Sequence, residues 1–323
     1  MMDNPWIYGG LFALVVLTGC MAVAAWSIWF ERKFAGAMQN RPGPTQVGWA
    51  GLLQPLADLV KLVQKEDIVP AQADRFLFNL APPLGVILVL GGMAVYPWAP
   101  GLVPADLDIG ILFALSITSL MTIPVWMAGW ASNNKYALLG GMRAAAQAVS
   151  FEVPLLLSAL VPVVLAGSFR LGDIVEAQAD GRWFVFWPIG PGAVAFVLFM
   201  LTSLAEANRI PFDIPEAESE LVSGITTEYT GMKFGMFSLA EYLHTLVGSF
   251  LAAGLFLGGW DGPGPDGPHW LILKGLGLFA VIFWIRWTLL RYRADQFMSL
   301  CWRVFVPVAL LTVAAAAVWK VYA

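Results

Sequence analysis

Eight apolar runs, each near the ~20 residues that an α-helix needs to cross a hydrocarbon core, constrain this chain more than any other feature. They cover residues 6–30, 76–96, 109–130, 138–166, 190–207, 234–258, 271–290 and 304–321. A bilayer interior offers no water to backbone N–H and C=O groups, so only helices and closed barrels span it. Runs this long and this many make helices. The sequence predicts an all-α, polytopic membrane protein of about eight transmembrane helices, one integral membrane domain over 1–323. Hydrophobic residues make up 59% of the chain and charged residues 12%, an apolar share above that of a soluble domain. No basic region precedes the first run, which argues against a cleavable signal peptide. The net charge of −4 suggests no nucleic-acid partner.

The first run ends at Glu31, Arg32 and Lys33, a charge cluster that marks an interface. In the 31–75 loop that follows, Leu52, Leu56, Leu59, Val60 and Val63 recur at helical spacing, with Gln54, Asp58, Lys61, Gln64 and Lys65 off that face. Pro55 is tolerated near a helix start. The predicted amphipathic helix is too short and too charged to cross, so it lies in the interface. It is either a surface anchor or the floor of a lipid-side opening for an amphipathic ligand.

Between the fifth and sixth runs lies EANRIPFDIPEAESELVSGITTE, the core of an acidic loop over 207–235. Six carboxylates fall in it: Glu206, Asp213, Glu216, Glu218, Glu220 and Glu228. Along the chain only Arg209 and Lys233 oppose them nearby. Pro211 and Pro215 break any helix that would carry the loop away from the membrane. On a helix Glu216 and Glu220 would share a face, where like charges repel. Crowded carboxylates beside a low-dielectric region have raised and mutually coupled pKa values. The loop either faces solvent or a protein partner, or lines a chamber where protons are handled. The flanking spans and the prolines favour the chamber.

Two polar features fall inside the runs themselves. Glu152 lies in the fourth, where a carboxylate costs about 2.5–3.5 kcal/mol on insertion scales, so it is expected to face an internal cavity. Glu241, Tyr242 and His244 form a polar cluster in the sixth. Cys20, Cys301, His244 and His269 are the only cysteines and histidines, with no CxxC or HExxH spacing, so no zinc, iron–sulfur or paired-haem site is expected from this chain alone. A GxGxxA at Gly275, Gly277 and Ala280 lies in an apolar run with no preceding strand and reads as helix packing. Any redox electrons must come from a partner. Basic residues set the orientation: of 18, all but Arg170, Arg182, Lys274 and Lys320 fall on the side of the acidic loop. That side is therefore cytoplasmic, the amphipathic helix included, and both termini face out.

The segments ERKFAGAMQNRPGPTQVGWAGLLQPLADLVKLVQKED, GWASNNKYALLGGMRAAAQAVSFE, AEANRIPFDIPEAESELVSGITTEY and RYRADQFMSLCWR, in this order, resemble the H-subunit family of the proton-translocating NADH:quinone oxidoreductase, respiratory complex I. The resemblance covers nearly the whole chain. It implies a bacterial inner-membrane protein that joins the peripheral electron-transfer arm to the membrane arm. Quinone is the implied substrate, reaching its chamber between the first span, the interfacial helix and the sixth span. Flavin and iron–sulfur clusters are expected on partner subunits and none on this chain. By position, Arg32, Arg41, Asp58 and Lys61 match motif residues near the quinone opening. Glu206, Arg209, Asp213, Glu216, Glu218, Glu220 and Glu228 match the acidic loop, while Glu152, Glu241, Tyr242 and Arg293 match polar positions leading inward as a proton relay. The chain departs from the pattern at Thr45 and Gln46, where relatives often read Asn-Arg, and at Leu290, often a proline. It has no carboxylate near Ser119, which some relatives carry.

Two other functions remain compatible with these residues: the membrane subunit of a related hydrogenase, which need bind no quinone, and a passive anchor for a soluble enzyme. Glu152 and Glu241 within spans weigh against the anchor. A reporter fused at Ala323 tests the topology: activity outside the cytoplasm is expected, and cytoplasmic activity contradicts eight spans with both termini outside.

Overall fold

The computed structural model describes residues 5–179, 181–188, 190–215 and 218–322. Glu216 lies outside the described residues, as does the side chain of Glu218. In chain order, α1 (Pro5–Met38) leads to α2 (Gln54–Gln64), α3 (Arg75–Gly92), α4 (Gly110–Ser119), α5 (Thr122–Ala131), α6 (Lys135–Ala166) and α7 (Leu171–Glu176). Then follow α8 (Pro191–Glu206), α9 (Glu218–Leu221), α10 (Gly231–Phe256), α11 (Pro268–Thr288), α12 (Ala294–Leu300) and α13 (Val306–Tyr322). Among the described residues, seven segments are long and apolar enough to cross a membrane. They are α1, α3, α4 with α5, α6, α10, α11, and α12 with α13.

The remaining apolar run is α8, with 16 residues. At about 1.5 Å per residue it falls short of a ~30 Å core. It does not need full length, because α6, α10 and α13 pack around it rather than lipid. Burial orders the bundle. In α10, 78% of the apolar window is buried, against 17% in α1. The sixth run is thus the axis, and the first is a peripheral helix whose apolar side faces outward.

Three elements differ from the sequence expectation. The third run is two helices, broken at Leu120 and Met121. Hydroxyls take up the carbonyls at the break: Thr118 Oγ1 donates to Ala114 and Leu115, and Ser119 Oγ donates to Leu115 at 2.8 Å. The last span begins at Ala294, ten residues before its apolar run, and passes through a π-turn at Cys301–Phe305. Pro307 has no N–H for the carbonyl of Arg303, which accounts for the local widening. Between the fourth and fifth runs, where no apolar run marks an element, the chain forms α7, held by buried Leu171, Ile174 and Val175. Beyond it, the buried Gln178 amide donates to Gly254 and Leu255 and accepts from Gly258 N, closing the end of α10. The GxGxxA packs as expected in part: a Cβ on Gly275 would meet the Phe250 ring at 3.0 Å, whereas Gly277 faces open space.

Caps set the helix starts. Asp74 accepts from Phe76 N and Leu77 N to begin α3, and Asn134 accepts from Tyr136 N to begin α6. At the opposite end of the bundle Arg170 pairs with Asp106, and the guanidinium holds that carboxyl below the usual carboxylate range. A lowered folded-state value means the pair's contribution is present near neutral pH and is lost as pH falls through that value.

Small residues let backbones meet where α5 crosses α6. A Cβ on Gly129 would lie 2.7 Å from the Ala137 carbonyl and 3.1 Å from the Gly141 Cα. Overpacking backbone against backbone costs about 1–3 kcal/mol. We expect Gly129→Val to lower the thermal midpoint and yield of the detergent-solubilised protein, and Gly277→Ala, with open space around it, to leave both near wild type.

Candidate functional site: a lipid-side groove and a buried ionic network

The site has three parts, all toward the end of the bundle where α1, α8 and α11 finish and α10 begins. The outermost is a groove of about 160 Å³ between α1, α2 and α10. Ala25, Trp26 and Ile28 form one wall, Leu56, Leu59 and Leu62 the floor, and Met232, Met236 and Leu239 the other wall. Helix α2 reaches this position through two indoles of α1: Trp26 Nε1 donates to Leu52 O at 3.2 Å and Trp29 Nε1 to Ala50 O at 3.3 Å. Asp58 lines the groove, taking Arg32 Nη1 at 2.8 Å and Gln54 Nε2 at 3.0 Å. Leu56, Leu59, Val60 and Val63 remain exposed in the chain, an apolar face turned outward.

Glu31 and Tyr242 follow the lining residues Ile28 and Leu239 by three residues, about one helical turn further along α1 and α10. Tyr242 Oη donates to Glu31 Oε2 at 2.6 Å, and Arg286 Nη1 lies 2.5 Å from Glu31 Oε1. The Glu31 side chain is 5% exposed. From Tyr242 the network passes to Arg209, whose guanidinium stands 4.0 Å above the tyrosine ring, and on to Glu241 at 3.7 Å. His244 Nε2 faces Glu206 Oε2 at 3.6 Å. Helices α8 and α10 run as an antiparallel ladder here. Gly248 approaches Ser203, His244 meets Glu206, and Arg209 just beyond the end of α8 meets Glu241. The spacing of three or four residues keeps all of these on one helix face.

The third part is the acidic loop, which folds onto its neighbours. Gln147 of α6 donates to Ala205 O, Asn208 Oδ1 and Phe212 O and fixes the loop's first turn. Phe212 packs on Phe297 and Tyr292. The carboxylates have more cations than the local sequence offered. Arg291 pairs with Asp213 at 2.9 Å, and Arg143 with Glu220 at 2.6 Å. Asn134 donates to Glu228 at 2.6 Å, while Lys233 turns away to Asp67 at 2.8 Å. At the loop's end Tyr229 stacks on Phe78 at 4.1 Å and donates to its carbonyl, and burial pushes the phenol pKa up.

Of the expected residues, Arg32 and Asp58 come together, and so do Glu206, Arg209, Glu241 and Tyr242. Lys61 is exposed at the end of α2, and Arg41 is exposed with its guanidinium on Gln39. Arg293 does not lead inward: it stands exposed at the N-cap of α12, and Arg291 makes the contact instead. Glu152 is partly buried on α6, with no ion pair or hydrogen bond to a described side chain. Sequence reasoning missed Glu31 and Arg286 as members of the network. Both sit inside helices but near span ends, where the criterion that singled out Glu152, a charge well within an apolar run, does not apply. Among the described residues no three metal-ligating side chains gather.

Fold and site together define a polytopic α-helical membrane protein with a buried ionic core. The sequence model of the family described as NADH dehydrogenase matches residues 11–317. The NADH-quinone oxidoreductase H subunit of Dehalococcoides mccartyi strain CBDB1 is 46% identical over 310 residues, covering 96% of this chain and 86% of the relative. NADH-quinone oxidoreductase subunit 8 of Rhodothermus marinus is 42% identical over 330 residues, covering 97% of each. The H subunit of the Syntrophotalea carbinolica enzyme is 45% identical over 318 residues, covering 95% of this chain and 94% of the relative. The chain belongs to the H-subunit family of NADH-quinone oxidoreductase, and is a membrane subunit of a multi-subunit enzyme rather than an enzyme complete in itself.

Removing one partner of a buried pair leaves a bare charge and costs about 3–5 kcal/mol. Glu31→Ala is expected to destabilise the solubilised complex on that scale, because Arg286 loses its counter-ion and the Tyr242 hydroxyl its acceptor. Glu31→Gln keeps an acceptor for Tyr242 and should cost less. Equal thermal midpoints for Glu31→Ala and wild type would contradict this network.

Proposed function

We propose that this chain forms the membrane wall of the quinone chamber and couples quinone reduction to proton translocation. The observation that carries the reading is that groove and network share α1 and α10. Ile28 and Leu239 of the groove stand one helical turn from Glu31 and Tyr242, from whose contact ionisable groups follow at 2.5–4.0 Å spacing. An apolar tail fits the lined walls, and a polar headgroup meets Arg32 and Asp58 at the mouth. The names of the relatives supply the substrate class, NADH as donor and quinone as acceptor, and disfavour the hydrogenase reading.

Reduction of a quinone consumes protons. In this account the acidic loop and the buried carboxylates supply them, which leaves negative charge in a poorly solvated interior. At an effective dielectric of about 20, a unit charge change acts on a group ~7 Å away with roughly 2 kcal/mol. That suffices to change which neighbour holds a proton. The relay comprises Glu241, Tyr242, Glu206, Arg209 and the loop carboxylates Asp213, Glu216, Glu218, Glu220 and Glu228, joined by Glu31 and Arg286. Glu152 is the proposed step toward α5. Flavin and iron–sulfur clusters sit on partner subunits. The complex lies in a bacterial inner membrane with the loop cytoplasmic and both termini outside. A passive anchor would have no use for these ions, whose burial costs several kcal/mol each.

Arg32→Ala or Asp58→Ala tests the quinone half. The pair is partly exposed and worth about 1 kcal/mol, so quinone reduction should fall roughly fivefold. Electron transfer from NADH to an artificial acceptor should hold. Equal loss in both assays would indicate failed assembly, and no loss in either would remove these residues from the opening.

A further inference from the structure

Among the described residues, the ions of the buried network do not balance. Among the described side chains, Glu31, Glu206 and Glu241 face Arg209 and Arg286. Arg286 meets Glu31 and Arg209 meets Glu241, so the two guanidinium groups match two of the three carboxylates. The one left, Glu206, is 9% exposed, and among the described residues its only ion-pair partner is His244, itself 4% exposed. Among the described residues, the Nδ1 of His244 has no hydrogen-bond partner. The Nε2–Oε2 separation of 3.6 Å is longer than a hydrogen bond, so no short bond fixes where a proton on this pair sits.

Among the described residues, no other element brings a countercharge to this point. From α3 the only ionisable side chain is Arg75, exposed at its first residue. From α2, Asp58 is held by Arg32 and Lys61 is exposed. Helix α7 meets α10 near Gly254, at the far end, with Asp173 and Glu176, and Lys274 of α11 is held there by backbone carbonyls. On α6, Arg143 is on Glu220 and Glu152 adds negative charge, not positive. Tyr242 is committed to Glu31. An uncompensated buried charge is strongly unfavourable, and one proton on the Glu206–His244 pair removes it.

We propose that His244 and Glu206 form a single-proton site, the position in the network where one exchangeable proton is taken up and released. The proposal rests on the relay function above and deepens it. Uptake adds the proton to His244 Nε2 or to a Glu206 oxygen and release removes it from the same atoms, with no electron transferred. His244 acts on the relay by setting when Glu206 is charged, and through the ladder that charge is felt by Arg209 and Glu241.

The test uses the whole complex in vesicles and infrared difference spectra over pH 5 to 9, with proton pumping measured in parallel. The difference between wild type and His244→Asn isolates this imidazole. The expected result is one imidazole titration, absent from His244→Asn. In Glu206→Gln, which removes the carboxylate that favours the imidazolium, it should move to lower pH by about one unit, a roughly tenfold loss of proton affinity. That shift also serves if His244→Asn fails to assemble. Two results overturn the proposal: no titrating imidazole in a complex that pumps, or a titration that Glu206→Gln leaves in place. A wild-type complex that reduces quinone but pumps no protons would instead end the relay reading itself.

Discussion

Ions buried among helices must be met by other ions or by hydrogen bonds, because desolvation alone costs several kcal/mol per charge. The bundle is built around that requirement. Arg209 and Arg286 enter it from the ends of α8 and α11 and are received by Glu241 of α10 and Glu31 of α1, while Glu206 of α8 faces His244 of α10. Tyr242 lies between, donating to Glu31 and lending its ring face to Arg209. The close packing of Gly248 on Ser203 sets the register that lets the pairs along α8 and α10 meet. Removing a charge from this network disturbs helix packing and the electrostatics of the interior together.

Packing extends the same logic outward. The indoles of Trp26 and Trp29 hold the turn before α2, and α2 in turn forms the floor of the groove. The acidic loop is held from two sides, by Gln147 and Arg143 of α6 and by Arg291 beyond α11. Groove, network and loop all meet α10 or its flanking turns, and α10 is the most buried of the spanning helices among the described residues.

Hydropathy made the spans legible, since a continuous apolar run leaves the backbone few choices in lipid. It did not reveal the break at Leu120, because hydroxyls that satisfy carbonyls leave hydropathy unchanged, nor the π-turn before Pro307. Glu206, Arg209, Glu241 and Tyr242 stood out as polar residues in or beside apolar runs. Glu31 and Arg286 did not: near a span end the sequence cannot tell a side chain pointing to headgroups from one pointing inward. The partners of the loop were hidden by distance along the chain, with Arg143 and Arg291 each more than seventy residues from the carboxylates they meet. Arg293 shows the converse, a basic residue in a recognisable motif that the start of α12 turns outward.

The central claim is that charge in this buried network links quinone reduction to proton movement. Glu241→Gln tests it most directly, since glutamine keeps the size and removes the charge. The measurement is the number of protons moved per NADH oxidised, in sealed vesicles containing the assembled complex. The account predicts a severalfold lower ratio with electron transfer at least partly retained. A wild-type ratio at wild-type turnover would contradict it.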